Sequence, residues 1–527
     1  MLTFAWAFLC LCDSVSYDRR VGQDSSTLCV RRRQIAKRIE LLRMAKAVKK
    51  HGRVYTPDYI VNLILDFGGY KTTETLQKHV IDNSCGDGAF LAEIVNRYCS
   101  YFLQTNDDLS KLKNELETYI HGIELDETEC DKCKHNLNGI VSKYGIPNAN
   151  WNILNADTLE IDHFNGKMDY VFGNPPYVRV HNLDNSYESV KRFKFAEGGM
   201  TDLFIVFFEI GFKMLTKNGL MCLITPSSWL NSLAGKNLRE YILTHHNMSG
   251  VIDLEHFQPF DATTYTLISR FSNHQEYNQI EYFNYDGSIH EKCFQDNIPY
   301  DNIQIGQNIY LSKNENLEIL KEIKFSHSYK YVSVKNGFAT LADKVFIGDF
   351  DFIEGTIKIL KASTGQWSKC VFPYDSQGSP LTIDAFKNHS EAYNYLLEHK
   401  NMLAKDRDVK DDKYWYLFGR TQALKDVSKN KYAINTIVKD LQSIKLEFVP
   451  KGCGIYSGLY ILTDIDLETI RKLIYSEDFI GYVKLLKNYK SGGYYTYTSK
   501  DIEQYLNYKL TKRYGQSRIS NSSRELF

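Results

Sequence analysis

The chain has almost no charge of one sign to spare. Its 64 lysines and arginines cancel 64 aspartates and glutamates, so no global positive field announces a nucleic-acid partner, and local clusters must be sought instead. A metal-ligand framework is also missing. The 11 cysteines are scattered, as expected for free thiols in a reducing cytoplasm. Cys130 and Cys133 form one CxxC without a second pair at zinc-ligand spacing, so they read as two cysteines on a helix, and no metal site is expected. No apolar run is long enough to cross a bilayer: Leu2–Cys12 is too short and lacks a preceding positive region. The second half shows no repeat and no low-complexity tract. These absences exclude a polycationic chain, a zinc ribbon and a helical membrane anchor as organising features.

What is present is ordinary globular material, 43% apolar and 24% charged over 527 residues, enough for about two large domains. Residues 1–43 read as an N-terminal tail or start-site extension, because Met44 opens a segment (MAKAVKKHGRVYTP) that looks like a natural start. Residues 44–272 alternate short apolar runs with helical patterns, which predicts an α/β domain with a mostly parallel, Rossmann-like sheet. Strands are expected at HVIDNS, YIHGIEL, NWNILNAD, MDYVFGN, LMCLITP and GVIDLEHF, with helices at AFLAEIVNRYCSYFL and DLFIVFFEIGFKML. From 273 to 527 short tyrosine-rich strands and polar turns predict a separate, mixed α+β domain.

The polar motifs fall at the carboxyl ends of the expected strands, where ligands bind in such sheets. Asp82-Asn83-Ser84-Cys85-Gly86-Asp87-Gly88 makes a strand-to-helix turn whose glycines let backbone approach a ligand. The next strand ends in Glu124, placed to grip a ribose diol, and the third ends near Asp157, placed to accept from an adenine amino group. A dinucleotide site would want a third glycine, and Asp87 would repel a diphosphate. The arrangement resembles the S-adenosylmethionine site of class I methyltransferases. That resemblance implies Thr56, Asp82, Cys85, Gly86, Gly88, Glu124 and Asp157 as the cofactor set, with Asp82 near the methionine ammonium and Thr56 near its carboxylate. Thr56-Pro57 also reads as the N-cap and first residue of the helix DYIVNLILDF.

Asn174-Pro175-Pro176-Tyr177 ends the fourth strand. Two prolines stiffen this loop and remove N–H donors, leaving acceptors. The Asn174 side-chain oxygen and the Pro175 carbonyl would hold both protons of an exocyclic amine and favour a pyramidal nitrogen aimed at the methyl donor. Tyr177 offers a stacking face, worth roughly 1–3 kcal/mol against a flipping cost of a few kcal/mol. With these elements in order, the chain from about Arg53 onward resembles the gamma-type N6-adenine DNA methyltransferases of restriction-modification systems. The resemblance extends to Thr201–Phe204, Ile224–Leu230 and Phe260–Thr264, and departs at Asn83 and Asp87, where the family commonly has proline and a small residue. It implies that an aromatic, Phe260 with Phe257 as rival, sandwiches a flipped adenine against Tyr177.

The tract Tyr414–Gln422 and the segment Lys487–Tyr495 interleave basic groups, aromatics and glycine, and from Lys484 onward 9 basic residues face 3 acidic ones. Arg420, Lys487 and Lys490 are therefore expected on DNA, with the C-terminal part as its target-recognition domain. The resemblance implies double-stranded DNA as substrate, a monomeric cytoplasmic bacterial enzyme, and a cognate restriction endonuclease that shares the site without needing to bind. No nuclease pattern occurs within the chain. Glutamine or RNA-base methyltransferases share the NPPY chemistry, but the long tail argues for a DNA reader.

Overall fold

The computed structural model describes residues 55–180, 187–197, 201–260, 264–273, 276–406 and 412–522. The 1–43 tail, Arg53 and Val54 of the first motif and 261–263 of the Phe260–Thr264 motif lie outside the described residues. Within them, no helix is long and apolar enough to cross a membrane. Among the described residues no cluster of metal-ligating side chains forms, and the eight cysteines there are free.

A nine-stranded sheet organises the first half, in the order β3-β2-β1-β4-β5-β7-β6-β8-β9. Its strands are β1 (Val80–Asp82), β2 (Ile120–Glu124), β3 (Asn152–Asn155), β4 (Met168–Gly173), β5 (Leu215–Pro226), β6 (Met248–Asp253), β7 (Thr266–Ser272), β8 (Gln279–Asp286) and β9 (Glu291–Pro299). Strands β1 to β5 pair in parallel, while β7 runs antiparallel between β5 and β6. The six sequence-predicted strands lie at β1–β6. Central strands such as β1, buried at every residue, are covered on both faces, so their sequences are apolar runs without alternation.

Helices α1 (Asp58–Phe67), α2 (Ala89–Phe102), α3 (Leu109–Tyr119) and α4 (Glu127–Val141) share one core with Phe172 of β4 and Ile268 of β7. The other face, through Val171 and Leu267, packs on α5 (Leu203–Met214) and α6 (Lys236–His245). Neighbouring residues of one strand thus enter opposite cores, as the pleat requires. Helix α1 stops at Gly68, where an added Cβ would lie 2.3 Å from the Phe172 ring; glycine lets the helix end rest on β4.

Two expectations change here. The sheet does not finish near Asn273: β8 adds parallel to β6 and β9 antiparallel to β8. The core against α5 also continues unbroken through Tyr300, Leu320, Ile470 and Leu510. The texture shift at 273 marks the end of the βα alternation, not the end of the sheet. Second, Pro57 itself occupies the N-cap of α1 and no side chain caps it, so Thr56 is not the capping residue; its hydroxyl is used elsewhere.

The remainder carries two four-stranded sheets. One orders Ser333–Asn336, Leu459–Leu462, Lys431–Ile434 and Leu446–Val449; the other orders Ile347–Gly348, Gln366–Val371, Thr356–Lys361 and Gly454–Tyr456. Around the second, residues between Phe338 and Val427 form a core of their own. A three-stranded sheet of Ile437–Val438, Tyr494–Thr496 and Tyr489–Lys490 reaches back to the large sheet.

Candidate active site

The strand order reverses between β1 and β4, and a cavity of ≈ 290 Å³ opens beyond their carboxyl ends, as expected at a topological switch point. Thr56, Asp82, Cys85, Gly86, Glu124, Asp157, Asn174 and Pro176 all line it. Residues more than a hundred positions apart in sequence therefore meet in one pocket.

The glycine turn is shaped from both sides. Gly86 and Gly88 have φ of +55° and +92°, which favour glycine. Gly88 is outside the cavity wall, and a Cβ there would lie 2.7 Å from Cys133 Sγ; its task is to let the turn close on α4. The Gly86 N–H donates to Glu124 Oε2 at 3.0 Å, and the Asp126 N–H donates to Glu124 Oε1 at 2.9 Å. Each carboxylate oxygen is fixed in direction by one backbone donor and can accept a second hydrogen bond. Asp157 Oδ1 accepts the Leu159 N–H at 3.0 Å, capping a short helical turn at the cavity wall. Cys85 is buried, and its sulfur packs by Gly122. A hydrogen bond with the Cys133 thiol, and then burial, push the Cys85 thiol well above its ordinary range; this residue shapes the pocket and brings no thiolate to it.

Asp82 is buried at the floor and accepts the Ser84 N–H at 3.0 Å. Burial pushes its carboxyl up to about 7, with Glu124 adding to the shift against the Ser84 hydrogen bond. Its Oδ1 would lie 2.9 Å from a Cβ on Gly173, so the glycine before Asn174 is required by the cofactor-side acid.

The lining includes the carboxylates of Asp82, Asp87, Glu124, Asp126 and Asp157, and no lysine, arginine or histidine among the described residues. Such a wall repels phosphate and suits a cationic ligand. Ser84 Oγ, also in the lining, is buried without a hydrogen-bond partner among the described residues, and a buried hydroxyl in that state is costly unless a ligand satisfies it. Sequence reasoning missed Tyr55, Leu125, Val178 and Phe207, which supply apolar wall. Leu125 gave a signal: a leucine between Glu124 and Asp126 that is 63% exposed.

Asn174 Nδ2 donates to Thr56 Oγ1 at 3.2 Å. The hydroxyl thus orients the amide of the Asn174–Tyr177 loop, a part the sequence did not suggest for it. Pro175 is buried behind the loop. Tyr177 lies outside the cavity lining; its hydroxyl donates to the Ile224 carbonyl at 3.3 Å, fixing the ring. The ring meets Phe260 at 6.4 Å and 74°, and Phe204 at 6.2 Å and 75°. Phe257 instead packs on Tyr285, at 4.9 Å, and on Tyr59. Of the two rivals, Phe260 is the one facing Tyr177, edge to face; a base held between them would require the rings to turn parallel.

The recognition residues divide. Arg420 and Lys490 are exposed. Lys487 is not available to a phosphate: its Nζ pairs with Glu255 at 2.9 Å and Asp253 at 3.2 Å and donates to Tyr282 Oη at 3.1 Å. Burial works against its charge, but Asp253 foremost holds it well above the ordinary lysine range. Trp415, Tyr416 and Phe418 are buried in the Phe338–Val427 core, so the tract reaches the surface through Tyr414 and through Gly419-Arg420-Thr421.

Residues 39–260 match the family described as Eco57I restriction-modification methylase. Over these residues the chain is similar to restriction-modification methylases. The chain is 26% identical over 425 residues to the type II methyltransferase M.BstVI of Geobacillus stearothermophilus, covering 68% of this chain and 73% of that one. It is 23% identical over 494 residues to the restriction enzyme and methyltransferase RM.Eco57I of Escherichia coli, covering 73% and 49%. With M.XhoI of Xanthomonas vasicola the identity is 25%, covering 42% of each. The chain therefore spans less than half of the second and third of these relatives. Among solved structures, the type IIL restriction-modification enzyme MmeI aligns with a TM-score of 0.57 at 13% identity, covering 84% of this chain and 63% of that one, so the shared fold extends well beyond the matched residues.

Proposed function

We propose that the protein transfers a methyl group from S-adenosylmethionine to the N6 amino group of a flipped adenine in double-stranded DNA, marking a specific site against a cognate restriction endonuclease. The observation that carries this reading is the one cavity that joins a wall whose charged side chains are all carboxylates to Asn174 and Pro176. S-adenosylmethionine supplies the electrophilic methyl. Asp82 would receive its ammonium, Glu124 its ribose hydroxyls and Asp157 its adenine amine, while the Gly86–Gly88 turn gives the backbone room. Asn174 Oδ1, on the amide oriented by Thr56, would accept a hydrogen bond from one amino N–H of the target and the Pro175 carbonyl one from the other. This withdraws the nitrogen lone pair from the ring and aims it at the cavity. The new N–C bond would form as the S–CH3 bond breaks, leaving the neutral thioether, and the methylated nitrogen would give its surplus proton to solvent. Tyr177 and Phe260 hold the base from its faces.

The reading treats the chain as a monomer of the bacterial cytoplasm. Residues 44–272 form the catalytic unit by sequence, extended by β8 and β9, and the remainder reads DNA through exposed residues such as Arg420 and Lys490. The test is transfer of labelled methyl to duplex DNA with N6-methyladenine as product. Asn174→Ala should remove transfer, a loss of about a hundredfold or more, while cofactor binding by calorimetry persists. Label found only in RNA or protein, or near-normal transfer by the variant, would overturn the reading.

A further inference from the structure

One surface element is anchored to the segment after β6 without a part in the chemistry. Strands Tyr489–Lys490 and Tyr494–Thr496 form a hairpin in which Lys490 pairs with Tyr494 across Ser491-Gly492-Gly493. Gly492 and Gly493 both have φ of +80°, so the tip is one that glycine alone takes without strain. Lys490, Ser491, Gly492 and Tyr494 are exposed, Tyr494 by 37%, and Lys439 Nζ lies 5.9 Å from the Tyr494 ring centre. The tip is narrow, basic and aromatic.

The stem is anchored. Tyr489 Oη donates to Asp253 Oδ2 at 3.2 Å, Asn231 Nδ2 donates to Asn488 Oδ1 at 3.2 Å, and Lys487 closes its ion pairs with Asp253 and Glu255. His256 stands edge-on to Tyr489 at 4.8 Å and Tyr495 at 4.7 Å. Asp253 ends β6 and opens the loop to Phe260, the ring that faces Tyr177. The hairpin is thus fixed to the segment that carries one wall of the base site.

We propose that this hairpin enters the duplex at the target, and that Tyr494 stacks in the gap left by the extruded adenine. The proposal rests on the base-flipping reading above. A groove of B-DNA admits a two-stranded ribbon, wedge side chains at ribbon and helix tips unstack base steps, and an aromatic ring recovers stacking that extrusion loses.

The test compares single-turnover transfer on two duplexes carrying the sequence that the wild-type protein methylates. In one the target adenine is paired with thymine; in the other it faces an abasic site, so that extrusion costs less. Tyr494→Ala should slow transfer on the paired duplex by about five- to a hundredfold, the range that one stacked base represents, and leave the abasic duplex at the wild-type rate. Tyr494→Trp should restore the paired rate, and 2-aminopurine at the target should brighten less with the alanine variant. Equal slowing on both duplexes would mean a groove contact only, and no slowing would mean no contact; either overturns the proposal. Wild-type protein that methylates adenine in neither duplex would sink the methyltransferase reading itself, and the wedge with it.

Discussion

At the scale of the residue, Asp82 carries a pH dependence whose sign follows from its surroundings. Burial holds its carboxyl near 7 rather than the ordinary 3.8, while a cationic ligand requires it ionised. Affinity for S-adenosylmethionine should be level above pH 7 and fall by up to about tenfold per unit below it, since binding must then expel a proton. Stability of the ligand-free protein runs the other way. The raised group contributes stability that is complete below about 3.8 and lost as pH rises through about 7. Asp82→Asn should flatten both profiles; calorimetric titration and denaturant melts across pH 5–9 would show it, and an unchanged slope in the variant would assign the titration elsewhere. Most of this site was legible in the sequence because it is built from local motifs, each a few residues at a strand end. The Asn174–Thr56 hydrogen bond was not, since it spans 118 positions and only folding brings its ends together. Cys85 is a related case: its place in the turn is visible in sequence and it does line the cavity, but the surroundings of its sulfur are set by Cys133 and Gly122 on other elements.

At the scale of the element, strands β1–β6 and helices α1, α2 and α5 follow the expected runs, because strands buried on both faces leave a plain apolar signature. Strands β8 and β9 escaped notice because they alternate with polar residues at the sheet's end and join no further βα unit. The Lys487 segment shows the limit of charge counting: one lysine of a basic run is an internal anchor, and its neighbour Lys490 is exposed. The two should separate experimentally. Lys490→Ala should lower the salt dependence of DNA binding by about one unit of slope with little effect on folding. Lys487→Ala should leave that slope unchanged and cost on the order of 2–4 kcal/mol of stability in urea, because Asp253 stays buried without its cation. A reduced salt slope with unaltered stability for Lys487→Ala would return it to the DNA-contact set.

At the scale of the whole molecule, the large core runs from Ile81 through Phe271 to Leu510 without a break. A fragment ending at Asn273 would leave β6 without its neighbour β8 and remove the share of the large core supplied by residues from Ile280 to Leu510. It should fail to give a cooperative thermal transition, measured by calorimetry, whereas the full chain should melt cooperatively and shift upward by several degrees in saturating S-adenosylmethionine. A sharp transition from the fragment would restore the boundary that composition suggests. The region around the Trp415–Phe418 run behaves differently, because its residues turn inward on a second core whose buried members lie between Phe338 and Val427. Selection can therefore act on two timetables within one polypeptide. The hairpin and the helices welded to the large sheet must change together with the cavity, while the lobe from Phe338 onward can vary only together with the strand Gly454–Tyr456 that closes its sheet and the Ala433–Tyr460 residues that share a core with Leu360, none of which lines the cavity.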